Sequence, residues 1–295
     1  MQANEIVNPV TSDEWQALHR RPDFAWPTLA LFAASIGLFF LVFSAAVSGR
    51  IAAPLAVLLN ILPAYWCFTV FHDAAHNAIS RHRALNEWVG RLAMLAFSPA
   101  PLFRPFRYVH MQHHRFVNET DGSDPDRWAS TGPWWQWPLR WATTDAWYVV
   151  WYVMRFRDRP RDERREVIWC LLAAVPLVGW LAWSGWWEPV LWFWFLPSRL
   201  ASIILALSLD VLPHWPFKAT HAENPWQATS NRLGWEALLT PLMLGQNYHL
   251  VHHIYPLVPF YRYRRVWLAR EAWHLSRQPL LVSVGGRQIE PGMAR

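Results

Sequence analysis

Residues 246–259 read Q-N-Y-H-L-V-H-H-I-Y-P-L-V-P and contain three histidines at helical spacing. In a helix, His249, His252 and His253 occupy positions i, i+3 and i+4, so their imidazoles project from one face within a single turn. Neutral imidazoles pack poorly among apolar side chains, but they are good ligands for first-row transition metals. The stretch therefore predicts one face of a metal site.

Two further histidine clusters lie upstream of this stretch. H-D-A-A-H places His72 and His76 at i and i+4, and H-M-Q-H-H contains His110, His113 and His114. A lone histidine on an apolar face usually packs in a core, and a single H-x-x-H indicates a metal only weakly. Three clusters at helical spacing are a much stronger indication. Because eight imidazoles exceed what one ion can coordinate, we predict two metal ions that share them.

The composition is typical of a membrane protein. Of 295 residues, 53% are hydrophobic and only 16% are charged, which is low for a soluble enzyme of this size. The net charge of +6 is not arranged as a basic stripe with stacking aromatics, so nucleic-acid binding is not expected. Cys67 and Cys170 lie in apolar runs and cannot form a four-thiolate iron–sulfur site. The N-terminus lacks a basic start before an apolar core, so we expect no cleaved signal peptide.

Four apolar runs are each long enough to cross a bilayer. They predict two hairpins of membrane spans, at about residues 27–47, 51–71, 167–187 and 190–209. The hairpin turns are predicted at Ser48-Gly49-Arg50 and at Glu188-Pro189. We expect one all-α integral-membrane domain over residues 1–295, in which the four spans support a histidine-rich cytosolic cap from residues 72–165 and 210–295.

Two shorter segments predict helices that do not cross the bilayer. Residues 89–103 form an apolar run interrupted by Arg91, Pro99 and Pro101, which predicts a re-entrant or surface helix. In residues 134–156, Trp, Tyr and Arg alternate as expected for a helix in the membrane interface.

The placement of arginines predicts the orientation of the spans. The outer turns hold Arg50 alone, whereas the inner flanks hold Arg81, Arg83, Arg91, Arg155, Arg157, Arg159, Arg161, Arg164 and Arg165. By the positive-inside rule, both termini and all three histidine clusters are cytoplasmic. Two hairpins return the chain to the same side, which allows the clusters to meet.

The fourth run contains Arg199, which would cost roughly 2.5 to 3.5 kcal/mol at mid-membrane if it faced lipid. We therefore expect Arg199 to line the bundle interior or the substrate path. The run ends in D-V-L-P-H, which places Asp210 and His214 about one turn apart at the cytoplasmic exit. Eight histidines leave one of two ions short of six ligands, so we predict His214 as a ninth ligand, with Asp210 beside the same metal. The alternative is that Asp210 caps the helix and His214 is a surface residue.

The order H-x-x-x-H, H-x-x-H-H, H-x-x-H-H on two apolar hairpins resembles the integral-membrane fatty acid desaturase superfamily. Within it, the chain is most similar to the β-carotene ring hydroxylases, through H-D-A-A-H-N, V-H-M-Q-H-H, D-P-D, S-T-G-P, D-V-L-P-H-W-P-F and L-G-Q-N-Y-H-L-V-H-H-x-x-P. The resemblance extends from the first span to about Arg270. These motifs are specific for the metal chemistry and much less specific for the substrate.

The resemblance implies two non-haem iron ions that activate O₂ and remove hydrogen from an unactivated carbon of a lipid. It also implies a separate electron donor, ferredoxin-like or cytochrome b5-like, and it agrees with a polar residue and a histidine at positions 210 and 214. The sequence supports a separate donor, because it contains no Gly-rich dinucleotide fingerprint, haem-attachment motif or cysteine cluster. An arginine-rich face can steer an acidic partner, or it can anchor at lipid headgroups.

Metal-bound imidazoles usually donate their other ring N–H to a carboxylate or carbonyl. The candidate partners are Asp73, Asp124, Asp126 and Asn247, although Asp124 and Asp126 are equally compatible with a turn. The other histidines lack cluster spacing, and we predict that they lie on the surface: His19, His82, His221 and His274.

The predicted function is O₂-dependent oxidation of a lipid, with a fatty-acyl desaturase as the first choice. A β-carotene ring hydroxylase is the alternative, because the superfamily as a whole favours acyl chains whereas the local motifs favour a carotenoid. A haem-binding or metal-transporting membrane protein is an alternative of another class. Such proteins place their histidines or ionisable ligands within the spans, whereas these clusters lie outside the predicted spans.

Overall fold

The computed structural model describes residues 10–290. Its α-helices, in chain order, are α1 (Ser12–His19), α2 (Trp26–Val47), α3 (Ala53–Ala75), α4 (Arg83–Met94), α5 (Phe103–Phe116), α6 (Trp137–Ala142), α7 (Thr144–Val153), α8 (Arg161–Ser184), α9 (Trp187–Val211), α10 (Glu236–Leu242), α11 (His249–Ile254), α12 (Tyr263–Ala269) and α13 (Glu271–Ser276). Short 3₁₀ turns occupy Asp126–Ser130, Trp134–Gln136, Phe156–Asp158, Gln246–Tyr248 and Phe260–Arg262.

Four helices, α2, α3, α8 and α9, are long and apolar enough to cross a membrane. The predicted all-α fold with four spans in two hairpins is therefore confirmed. Each hairpin turns at a glycine with left-handed backbone, Gly49 at φ +71° and Gly185 at φ +78°. The turn predicted at Glu188-Pro189 was wrong, because Pro189 lies in the first turn of α9, where a missing N–H costs nothing.

Two span ends differ most from the prediction. Helix α3 continues to Ala75 rather than ending at residue 71, and α8 begins at Arg161 rather than at residue 167. Helical hydrogen bonding does not stop where the hydropathy falls, so polar residues extend each helix beyond its apolar run. As a result, His72 lies in the last turn of α3 and His76 caps it.

The spans divide into an inner and an outer pair. Helix α3 packs against α2, α4 and α9, and its buried side chains join those of α9 in one apolar core. The outer helices α2 and α8 keep large apolar side chains exposed, including Leu41, Val175 and Trp183, which is 85% exposed. These exposed apolar side chains fit contact with lipid.

The inner helix α9 contains two π-type turns, at Leu191–Phe195 and Ala206–Val211. A π-type turn widens the helix locally and is often found at functional sites. At the first, Asn60 of α3 donates from Nδ2 to the Phe193 carbonyl at 2.7 Å. The second contains Asp210, which lines the cavity described below.

Helix α5, which carries the second histidine cluster, is fixed to the end of α3 by Arg107. Its guanidinium donates to the carbonyls of Ala75 (3.1 Å) and Ala74 (3.2 Å), which are among the last carbonyls of α3. Buried Glu87 of α4 accepts from the same guanidinium. This contact sets the second cluster against the first.

The two non-spanning segments were predicted with the wrong extent. Residues 89–103 do not form one helix, because α4 begins at Arg83 and ends at Met94, and the stretch with Pro99 and Pro101 separates it from α5. The predicted interfacial helix at 134–156 is broken at Thr143 into α6 and α7.

A small sheet closes the C-terminal part of the cap, and the sequence analysis did not predict it. Its strands are β1 (Ser230–Leu233), β2 (Leu280–Ser283) and β3 (Gln288–Ile289), with β1 and β2 parallel and β2 and β3 antiparallel. In the register, Ser230 pairs with Leu280 and Leu281 with Ile289. The sheet packs with α12 in a second apolar core, around Leu250, Tyr263, Trp267 and Leu281.

Candidate metal centre

The three histidine clusters and His214 converge at the membrane end of the cap. Two groups of four histidines hold their ligand atoms within 4.8 Å of one another, and these are His72, His76, His110 and His252, and His113, His214, His249 and His253. A third group, His114, His252 and His253, shares one ring with each of the others. The structure thus brings together all nine histidines that the sequence singles out, in two neighbouring groups.

The first group, termed site A, joins α3, α5 and α11. The Nε2 atoms of His76 and His110 lie 2.8 Å apart. The ring centroids of His72 and His252 lie 4.4 Å apart. His114 approaches from α5, with its Nε2 2.9 Å from that of His252 and its ring stacked on His253 at 4.1 Å.

The second group, termed site B, includes His214, which lies three residues after the end of α9. His249 Nε2 lies 3.1 Å from the Nε2 atoms of both His214 and His253. The segment with His214 is held by β1, because Ser230 donates its backbone N–H to the Pro213 carbonyl at 3.0 Å. The sheet therefore positions the histidine that follows α9.

The outer ring nitrogens test whether these sites fit metal ions. His113 Nδ1 donates to Asp124 at 2.9 Å, and His249 Nδ1 lies 3.1 Å from Gln246 Oε1, so each ring has its proton on the outer side. A neutral imidazole that donates from Nδ1 presents a lone pair at Nε2. Lone pairs that converge at about 3 Å repel one another unless a cation lies between them, so the donor set fits metal ions.

The electrostatics favour neutral ligands. Burial lowers the pKa well below its ordinary value for seven of these rings, namely His76, His110, His114, His214, His249, His252 and His253. His113 differs, because burial opposes its charge but Asp126 and Asp124 raise its pKa to about 9. Burial raises the pKa of Asp126 to about 6, against the effect of His113. The two carboxylates thus stabilise positive charge at this ring, either as a proton or as a metal cation at Nε2.

The predicted supporting residues fall into two sets. Asp124 and Asp126 lie against His113 Nδ1, at 2.9 and 3.4 Å, and Asp124 also accepts backbone N–H groups of its own turn. Asp73 instead accepts from the Thr28 hydroxyl (2.9 Å) and the Phe260 N–H (3.3 Å), so it joins α2, α3 and the loop before α12. Asn247 donates to the Arg232 carbonyl at 3.3 Å. Neither of these two hydrogen-bonds to a clustered histidine.

Sequence reasoning missed two supports of the clustered rings. Gln246 was identifiable in principle, because it precedes His249 by three residues and its side chain meets that ring. Tyr263, whose hydroxyl lies 3.0 Å from His252 Nδ1, comes from the next helix and gives no local signal. The prediction that His274 lies on the surface was wrong, because it is fully buried among tryptophans.

An apolar cavity of about 640 Å³ leads from the histidines to the outer surface. His72, His110, His113, His249, Asp126 and Asp210 contribute to its inner end. Other lining residues also lie on the outer surface, namely Val149 and Val153 of α7, Leu171 of α8 and Phe195 of α9. The cavity therefore opens between α7 and the two spans α8 and α9. Arg199 lines it, with its guanidinium paired to Asp145 of α7 at 2.6 and 2.8 Å.

The family model of fatty acid desaturases matches residues 48–281, which include all three histidine clusters and His214. The chain belongs to the fatty acid desaturase family. It is 23% identical to the sn-1 oleoyl-lipid 12-desaturase of Anabaena variabilis, over 92% of this chain and 83% of that protein. It is 30% identical to a beta-carotene ketolase of a Paracoccus species, over 72% of this chain and 79% of the relative.

A third relative is the dihydrorhizobitoxine desaturase of Bradyrhizobium elkanii, which is 29% identical over 76% of this chain and 68% of the relative. The matches confirm the predicted superfamily, with desaturases and a carotene ketolase among its relatives. They support an oxidoreductase of the desaturase and oxygenase class in a membrane.

Proposed function

We propose that this chain is an O₂-dependent, non-haem di-iron oxidoreductase of lipids, with a fatty-acyl desaturase as the first choice. The observation that carries the proposal is the position of two histidine groups at the inner end of an apolar cavity that opens between exposed apolar side chains. One iron in site A and one in site B, when bound, would supply the O₂ activation needed to remove hydrogen from an unactivated carbon.

The residues of the chain have distinct parts in this proposal. The nine clustered histidines are the metal ligands, with His114 between the two sites. Asp124, Gln246 and Tyr263 hold the outer nitrogens of three rings, which fixes the direction of their inner lone pairs. The aromatic wall of Phe68, Phe71 and Phe106 guides the substrate and excludes water.

The charges of the cavity favour an uncharged part of a lipid. Arg199 is the one arginine or lysine in the described lining, and Asp145 neutralises it, while Asp126 and Asp210 add acidic groups. Away from the metal sites, a free carboxylate would find no unpaired cation there. We therefore propose that an acyl chain enters from the bilayer and that its headgroup stays outside.

The reaction needs an external electron source. Removing two hydrogens from an acyl chain while O₂ becomes two waters consumes two further electrons and two protons. We propose a separate ferredoxin-like or cytochrome b5-like donor, and a cytoplasmic location for both termini and the active site, as the arginine distribution favours.

A β-carotene ring hydroxylase is the second candidate. The likeness to a beta-carotene ketolase supports it, and so does a cavity without a free cation, since a carotene carries no charge. The alternative of a haem-binding or metal-transporting protein receives no support from the relatives.

Lipid and pigment analysis tests the substrate. The chain and its His252→Ala variant are expressed in cells with and without a β-carotene background, and acyl chains and pigments are measured by mass spectrometry. We expect acyl chains that have lost two hydrogens with the unchanged chain only. Oxygen added to carotene with unaltered acyl chains would overturn the acyl substrate, and no change in either pool would contradict both candidates.

A further inference from the structure

A column of buried rings leads from the surface of the cap to site A. We define this aromatic column as Trp273, His274, Trp267 and Tyr263. The ring centroids of Trp273 and His274 lie 5.4 Å apart, and His274 stacks on Trp267 at 5.0 Å with an interplanar angle of 11°. Trp267 and Tyr263 are four residues apart on α12, so they share one face of that helix. Tyr263 reaches His252, with ring centroids 5.6 Å apart and the hydroxyl 3.0 Å from Nδ1.

Two hydrogen bonds fix the orientation of the His274 ring within the column. His274 Nδ1 donates to the Trp267 carbonyl at 3.0 Å, and Nε2 accepts from the Tyr255 hydroxyl at 3.1 Å. His274 is 0% exposed and Tyr263 and Trp267 are each 1% exposed, whereas Trp273 is partly exposed. The column thus runs from partly exposed Trp273 through buried rings to His252, with Trp267 and Tyr263 packed in one apolar core.

The column approaches the metal centre on a side that the substrate does not use. The cavity is lined by residues up to His249 in the described chain, and no residue of α12 or α13 contributes to its lining. Tyr263 instead meets the outer nitrogen of His252. A donor at the surface end of the column would therefore not obstruct the lipid path.

Three exposed arginines lie on α12 and directly after α13, the two helices that supply the column. The Arg277 guanidinium lies 5.1 Å from the Trp273 ring centroid, and Arg264 and Arg265 of α12 are exposed. None of these three forms an ion pair with a described carboxylate. By contrast, Arg91, Arg104 and Arg107 of α4 and α5 are neutralised by Glu87 or Glu166. Unpaired exposed arginines attract an acidic partner and raise its association rate.

We propose that an acidic one-electron carrier protein docks against Arg264, Arg265 and Arg277, and that its electrons reach site A through the aromatic column. The inference rests on the proposed di-iron function. In each transfer the reduced carrier loses one electron and a ferric ion held by His252 becomes ferrous. Two transfers supply the two electrons that the lipid reaction consumes, and no bond or proton moves along the column.

Anaerobic reduction of the purified ferric holoenzyme tests the proposal. The reductants are an acidic plant-type [2Fe–2S] ferredoxin and dithionite, which diffuses freely, and the variants are Arg265→Gln/Arg277→Gln and Trp273→Leu. The matched charge control is Arg161→Gln/Arg165→Gln, which removes two exposed arginines at the start of α8. Trp273→Phe restores a ring at the same position, and the iron content of every variant is measured first.

We expect Arg265→Gln/Arg277→Gln to lower the second-order rate with ferredoxin about tenfold at low salt, with a smaller difference at high salt. Trp273→Leu should slow reduction at saturating ferredoxin, Trp273→Phe should recover it, and dithionite rates should not change. Equal ferredoxin rates in Trp273→Leu and the unchanged chain, equal losses in the charge control, or no reduction of the unchanged chain by ferredoxin would overturn the proposal. A chain that holds no reducible iron with either reductant would instead contradict the proposed function.

Discussion

Asp124 Oδ1 lies 2.9 Å from His113 Nδ1, and both side chains are buried. The contact fixes the ring tautomer, so that Nε2 faces the other rings of site B. Asp124 also accepts the Asn118 N–H at 2.8 Å, which holds its carboxylate in place. A turn residue therefore sets the direction of a proposed metal ligand.

Asp124→Asn should weaken metal binding at site B. The variant loses the charge opposite His113 and places an amide N–H₂ against a backbone donor, and loss of such outer partners typically costs about 10–100-fold in metal affinity. Iron retained during titration with a chelator measures the effect. The control is Asp121→Asn in the same loop, where the carboxylate is exposed and accepts only from Ser123. Equal retention in the two variants would contradict the assigned contact.

His214→Ala should lose iron as well as turnover, because its Nε2 lies among the ring nitrogens of site B. Asp210→Asn should keep its iron and turn over more slowly, since Asp210 lines the cavity beside this site. His221→Ala is the control from the same segment and should behave as the unchanged chain. Full iron content and full turnover in His214→Ala would remove this residue from the site.

Arg199→Leu should fold but handle substrate poorly, because it leaves the Asp145 carboxylate unpaired at the cavity wall. The double variant Arg199→Leu/Asp145→Leu removes both charges and should recover part of the thermal stability and turnover. Unfolding midpoints in detergent and product analysis provide the measurements. If Arg199→Leu alone matches the unchanged chain in both, the ion pair has no part in shaping the cavity.

Gly245→Ala should displace the turn that leads into the third histidine cluster. Gly245 has φ +77°, and an added Cβ would lie 2.5 Å from the Phe260 carbonyl oxygen. Left-handed backbone at a residue with a side chain costs about 1–3 kcal/mol when the surroundings enforce it. We expect a lower unfolding midpoint and less bound iron. Gly285→Ala, where no atom lies within 4 Å of the added Cβ, is the control.

Much of the fold and of the site could be predicted from local pattern. The apolar runs revealed the spans, and the spacing of His110, His113 and His114 required a helix that presents them together. What failed depends on contacts between distant segments. The burial of His274 and the support of His252 by Tyr263 arise from the packing of α12 and α13, and the pairing of β1 with β2 joins segments some 50 residues apart in sequence. The predicted helix ends were wrong because hydropathy indicates which residues lie in the bilayer. It does not indicate where helical hydrogen bonding begins and ends.

We propose that two irons lie in separate but adjacent histidine sites. Metal analysis of the purified chain beside His110→Ala in site A and His249→Ala in site B tests it most directly. We predict two irons per chain with no haem absorbance, and loss of about one iron in each variant. Zinc or haem in the unchanged chain, or full iron content in both variants, would contradict the account.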